Sequence, residues 1–87
     1  MLNREKEIEI LMNDGDTRSE AERHLRDGAV IFPDKDLDLN LEDYLDEWDI
    51  EEEYRDEYRK MVSDKIPAGD WGVVEYEGEY FYIMYVL

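Results

Sequence analysis

The last nine residues, Glu79-Tyr80-Phe81-Tyr82-Ile83-Met84-Tyr85-Val86-Leu87, read as a strand with no polar face. Its alternate positions are Tyr80/Tyr82/Met84/Val86 and Phe81/Ile83/Tyr85/Leu87, and both sets are apolar. A strand half exposed to water shows one polar face, so this one must be covered on both sides, by helices or by another chain. Just upstream, the strand pattern that starts at Trp71 breaks at Glu77-Gly78. With those two residues as the loop, Tyr76 pairs with Glu79, Val74 with Phe81 and Gly72 with Ile83 in an antiparallel hairpin.

The covering layers must come from residues 3–63. Ile8, Leu11 and Met12 share a helical face, which predicts a helix over 3–12 that stops at Asn13-Asp14-Gly15-Asp16. Thr17 and Ser19 each precede a glutamate by three residues, the capping-box spacing, and open a second helix over 18–27 with Ala21 and Leu25 as its stripe. Gly28 suits a left-handed helix end, and Ala29-Val30-Ile31-Phe32 is a short strand closed by Pro33. Leu41, Tyr44, Leu45 and Trp48 mark a third helix, with Asn40 or Asp38 available as its cap. Asp49 and Glu52 repeat the capping signal before a stripe of Ile50, Tyr54, Tyr58, Met61 and Val62 that runs to about Ser63. Eighty-seven residues cannot bury two cores, so 1–87 is one α+β domain in the order α-α-β-α-α-β-β. Leu41, Tyr44, Leu45, Trp48, Tyr54 and Tyr58 are expected over one face of the hairpin, and Ile8, Leu11, Met12 and Leu25 over the other.

Charge limits what such a domain can do. Twenty-six acids stand against ten bases, a formal −16, and residues 34–64 alone hold fourteen acids and four bases, a net −10. Residues 1–33 and 65–87 each contribute −3. Solubility of a small domain needs a net charge of only about 2–8 in magnitude. Carboxylates three or four residues apart on a helix are spaced about 5–6 Å, comparable to successive phosphates on one nucleic-acid strand. Rows such as Glu42/Asp46/Asp49 and Glu52/Asp56 or Glu53/Glu57 can therefore stand in for phosphates, and Asp36, Asp38, Asp43 and Glu47 extend the candidate partner-binding surface. The bland alternative is a solvated helix face that keeps the chain soluble.

Other chemistry is thinly supported. Direct binding to nucleic acid or an anionic membrane needs lysine and arginine clusters that this sequence lacks. No stretch approaches a membrane span, and the absence of cysteine fits a reducing cytosol, so a cytoplasmic protein is expected. Asp34, Asp36, Asp38 and Glu42 have the spacing of a calcium loop, but Leu39 and Leu45 fall where that loop needs glycine and a bidentate glutamate. His24, among Arg23, Arg26 and Glu20, reads as a surface residue. No nucleophile with an adjacent base and no phosphate-binding loop occurs, so neither catalysis nor a cofactor or metal is expected. Seven tyrosines exceed what a small core holds with every hydroxyl bonded, which makes Tyr80, Tyr82 and Tyr85 candidates for an exposed interface.

The segment Ser19-Glu20-Ala21-Glu22-Arg23-His24-Leu25-Arg26-Asp27-Gly28, the acidic stretch from Tyr44 to Tyr58, and Asp70-Trp71-Gly72-Val73-Val74-Glu75-Tyr76-Glu77-Gly78 with its aromatic strand together resemble small acidic proteins of Gram-positive phages, plasmids and conjugative elements. Some proteins of that kind are anti-CRISPR inhibitors. The resemblance implies a basic partner such as a CRISPR nuclease, in agreement with the charge, and carries no functional residues over. The reading is a non-enzymatic inhibitor that mimics nucleic acid. Its rivals are an assembly adaptor that binds through the apolar C-terminal strand and an accessory protein for divalent ions.

Overall fold

β3 (Glu79–Met84) is the middle strand of a three-stranded antiparallel sheet ordered β1-β3-β2 in the computed structural model, which describes residues 2–85. Both of its hydrogen-bonding edges are occupied, one by β1 (Val30–Pro33) and the other by β2 (Trp71–Tyr76). The hairpin has the expected register, with Tyr76 opposite Glu79, Val74 opposite Phe81 and Gly72 opposite Ile83. Glu77 and Gly78 both take positive φ, 52° and 81°, which gives the two-residue turn the twist that matches its strands. Val30 to Pro33 supply the third strand, Pro33 lying opposite Phe81. Val86 and Leu87, included in the expected strand, lie outside the described residues.

Helices cover both faces of β3, as its two apolar sides require. Phe81 and Ile83 join Ile31 and Val74 against α1 (Arg4–Asn13) and α2 (Arg18–Arg26), where Ile8, Ile10, Leu11, Ala21 and Leu25 are buried. Tyr82 and Trp71 pack on the opposite side against α3 (Asp34–Glu47) and α4 (Glu52–Asp64), with Leu37, Leu41, Leu45, Met61 and Val62. Two expected members are absent from these cores. Met12 and Tyr54 are 42% and 50% exposed, and Ile10 takes the place assigned to Met12. Tyr82 is fully buried, which corrects its expected place on an exposed interface.

Local signals explain most boundaries. Thr17, the first of the two candidate caps, forms a complete capping box with Glu20. Gly28, at φ 108°, ends α2 in the left-handed turn that glycine adopts without a Cβ clash, and Ala29 N–H closes it on the His24 carbonyl.

The acidic helices depart from expectation at three ends. α3 begins at Asp34, several residues before the Asp38 or Asn40 cap, because extended Pro33 at the cap position ends β1 directly before it and Leu37 extends the Leu41/Leu45 stripe by one turn. Asp34, Asp36 and Asp38 are therefore helical and form no calcium loop. Asp49 does not cap α4. It takes φ 54° and closes α3, with its own N–H on the Asp46 carbonyl and the Ile50 N–H on the Leu45 carbonyl. Glu51 occupies the cap position of α4 without a side-chain hydrogen bond, and α4 ends at left-handed Lys65. Among the described residues no helix is long and apolar enough to cross a membrane.

Candidate protein-binding surface

α3 and α4 are joined by the short 48–51 connection, so residues of α4 meet those of α3 in reverse order. Arg55 and Arg59 of α4 consequently meet the acids of α3. Arg59 donates to both carboxylate oxygens of Glu42 at 2.8 and 3.1 Å, and to Asp56 at 2.7 Å. Arg55 pairs with Asp46, lies 3.6 Å from Glu52, and donates from Nε to the Ile50 carbonyl at 2.8 Å. The hydrogen bonds from Arg59 hold the Glu42 carboxyl below the usual range. In the expected phosphate-like rows Glu42/Asp46/Asp49 and Glu52/Asp56, Glu42 and Asp46 thus pair across the seam between the helices, Glu52 and Asp56 pair along α4, and two arginines offset two of these four paired charges.

Asp36 also has internal partners, accepting from the Asn40 amide at 3.2 Å and from the Tyr44 hydroxyl at 3.0 Å. The other candidates, Asp38, Asp43, Glu47, Asp49, Glu53 and Glu57, are exposed and have no ion pair or side-chain hydrogen bond among the described residues. Two i,i+4 rows, Asp43/Glu47 on α3 and Glu53/Glu57 on α4, carry free carboxylates at about 5–6 Å spacing. Glu51 and Asp64, which no row in the sequence singled out, are also exposed and unpaired among the described residues. Leu39, too, is 73% exposed and lines a shallow groove of about 350 Å³ with Asp38 and Glu42. Leu39 sits off the Leu37/Leu41/Leu45 stripe, and that offset is the sequence signal for its exposure.

The field is uneven across the molecule. Five of the ten bases, Arg4, Lys6, Arg18, Arg23 and Arg26, belong to the α1/α2 layer, while the α3/α4 layer holds most of the net charge. A positive charge is therefore attracted most strongly towards α3 and α4.

The tyrosine hydroxyls have partners that their number obscured. Tyr44, Tyr76, Tyr82 and Tyr85 donate to Asp36, Glu9, Asp34 and Asp14. The hydrogen bond to Glu9 and partial burial push the Tyr76 hydroxyl up to about 12. Burial, then the bond to Asp34, raises Tyr82 to about 12, and burial followed by Asp14 raises Tyr85. Of the three expected interface tyrosines, Tyr80 alone is exposed, at 37%. Lys65 completes the Tyr82 site. Its Nζ donates to Asp34 at 2.7 Å and to the Val62 carbonyl at 2.6 Å, tying the start of α3 to the end of α4 over the central strand. Burial pushes the Asp34 carboxyl up, but the hydrogen bonds from Lys65 and Tyr82 outweigh it and leave the group below its usual value.

His24 is half-buried rather than a free surface residue. Its Nδ1 lies 2.7 Å from the Asp16 carboxylate, and its ring meets Tyr85 edge-on at 5.3 Å. Among the described residues no group of three or more histidines, aspartates or glutamates is placed to hold a metal ion. Comparison with family models, curated proteins and solved structures finds no match to this chain.

Proposed function

We propose that this protein is a non-enzymatic inhibitor that presents a nucleic-acid-like acidic face to a basic nucleic-acid-binding protein, a CRISPR nuclease being the partner that the sequence resemblance implies. The observation that carries the reading is the contrast within the acid surface. All eight acids are exposed, but arginines of the same chain pair with Glu42, Asp46, Glu52 and Asp56, while Asp43, Glu47, Glu53 and Glu57 on the same two helices have no partner among the described residues. Like charges at i,i+4 destabilise a helix by a few tenths of a kcal/mol each, so uncompensated rows work against folding and need another reason to be present. Packing of both helices on the sheet through Leu37, Leu41, Leu45, Met61 and Val62 fixes the rows in space, and a lysine- and arginine-lined groove can then read them as it reads phosphates.

The test is a pair of fourfold charge reversals. Asp43, Glu47, Glu53 and Glu57 changed together to lysine should abolish inhibition of a susceptible nuclease while far-ultraviolet circular dichroism stays native and the melting midpoint does not fall, since the net charge drops from −16 to −8. Glu42, Asp46, Glu52 and Asp56 changed together should instead lower stability, because Arg55 and Arg59 then face cations across the seam at 42 and 46 and along α4 at 52 and 56. Full inhibition by the first variant would refute the proposal.

A further inference from the structure

Away from the acid rows, the end of the α3/α4 hairpin meets the turn before β2 in a cleft of about 290 Å³, lined by Trp48, Tyr58, Asp70, Trp71 and Tyr85 among others. Its volume is at the lower end of the range for small-ligand sites, which suits one side chain better than an extended ligand. Trp48 and Trp71 lie 5.4 Å apart at 53°, and Tyr58 meets Trp71 edge-on at 5.8 Å, so the three rings touch and form one aromatic wall of the cleft, in which Trp71 is buried and Trp48, with one face stacked on Tyr44, is the more accessible indole. Asp70 is an exposed carboxylate with no ion pair among the described residues. Burial, and then the nearby charge of Asp70, keep the Tyr58 hydroxyl protonated beyond its usual range. That hydroxyl lies over the Gly69 backbone, within 3.7 Å of where a Cβ would stand, so the ring is seated against the turn that carries Asp70.

Aromatic faces beside a carboxylate attract organic cations, because the ring quadrupoles and the formal charge act in the same direction. Cation–π contacts inside this chain occur elsewhere: Lys65 lies 6.0 Å from the Tyr80 ring and 5.8 Å from the Tyr82 ring. We infer that the Trp48/Tyr58/Trp71/Asp70 cleft receives an arginine side chain of the partner protein. A guanidinium is planar, sheds water more readily than an ammonium, and can stack on an indole while its N–H edge reaches the carboxylate. The overall charge of −16 draws such a residue in. This assignment deepens the inhibitor reading and rests on it for the nature of the partner, while the cleft itself is testable without any nuclease.

Both tryptophans of the chain line the cleft, so the two indole N–H resonances and the intrinsic fluorescence report on it directly. The probes are blocked tripeptides Gly-Arg-Gly, Gly-Lys-Gly and Gly-citrulline-Gly, titrated into the intact protein at low salt. The arginine peptide should shift both indole resonances with a roughly millimolar dissociation constant. The citrulline peptide, equal in shape but uncharged, should leave them in place, and the lysine peptide should bind more weakly than arginine. Asp70→Asn, at an exposed turn position, should weaken the arginine peptide by about fivefold with an unchanged melt. Equal binding of citrulline or lysine, no indole shift, or indifference to Asp70→Asn would overturn the assignment. Loss of the peptide site in a protein whose inhibition still depends on Asp43, Glu47, Glu53 and Glu57 would remove the cleft and leave the acid face standing; the converse result would remove only the acid face.

Discussion

Replacing Phe81 by alanine asks whether β3 is core or interface. Phe81 is 1% exposed in the middle strand, opposite Val74 on β2 and Pro33 on β1, with its ring 6.5 Å from that of Tyr76 and directed into the α1/α2 cluster. Truncation loses the transfer free energy of the ring and leaves a cavity beneath two helices, a cost of about 3–5 kcal/mol. An 87-residue domain has a total stability of about 4–13 kcal/mol, so the variant should lose about a quarter or more of it. At about 4–8 °C per kcal/mol the midpoint should fall by at least about 12 °C. Urea titration followed by circular dichroism gives the free energy, and partner affinity measured on the remaining folded protein should be unchanged. A native melt combined with loss of a dimer or complex would refute this account of β3 and restore the adaptor reading.

Disrupting the Asp34/Lys65/Tyr82 knot tests the link between the acidic helices and the sheet. Asp34→Ala leaves the Lys65 ammonium and the Tyr82 hydroxyl only the Val62 carbonyl and should cost about 1–3 kcal/mol, whereas Tyr82→Phe, which leaves the ion pair in place, should cost about 1, both read from urea midpoints. Between pH 8 and about pH 5, or on adding salt, the melting temperature should rise as repulsion among the acids weakens. Glu5, Glu20, Asp34 and Glu42 are held below their ordinary values, so they stabilise the fold above about pH 4 and that contribution disappears as pH falls further. On the alkaline side Tyr76 and Tyr82 are raised to about 12, so their contribution is complete below about pH 10 and is lost between about 10 and 12, seen as tyrosinate absorbance appearing together with unfolding.

The hairpin was legible residue by residue because a two-residue loop fixes register, and the double apolar face of β3 correctly demanded two covering layers. Helix ends governed by local chemistry, such as Thr17 with Glu20 and Gly28, were legible for the same reason. The start of α3 was not, because alternating aspartates before Leu41 imitate a loop and Pro33 supplies no side-chain cap to notice. The tyrosines misled by count. Asp34 lies 48 positions from Tyr82 and Asp14 lies 71 from Tyr85, so their hydroxyl partners exist only after the chain has folded. The seam pairs Arg55–Asp46 and Arg59–Glu42 are also tertiary, although a signal was present: two arginines one helical turn apart mirror two acids one turn apart across a short connection.

The salt dependence of complex formation, measured with a nucleic-acid duplex as competitor, tests the central claim most directly. If Asp43, Glu47, Glu53 and Glu57 replace phosphates in a basic groove, affinity should fall by at least about tenfold between about 50 and 200 mM salt, and the duplex should displace the protein competitively. Affinity that is flat in salt, or a ternary complex in which duplex and protein bind together, would contradict it.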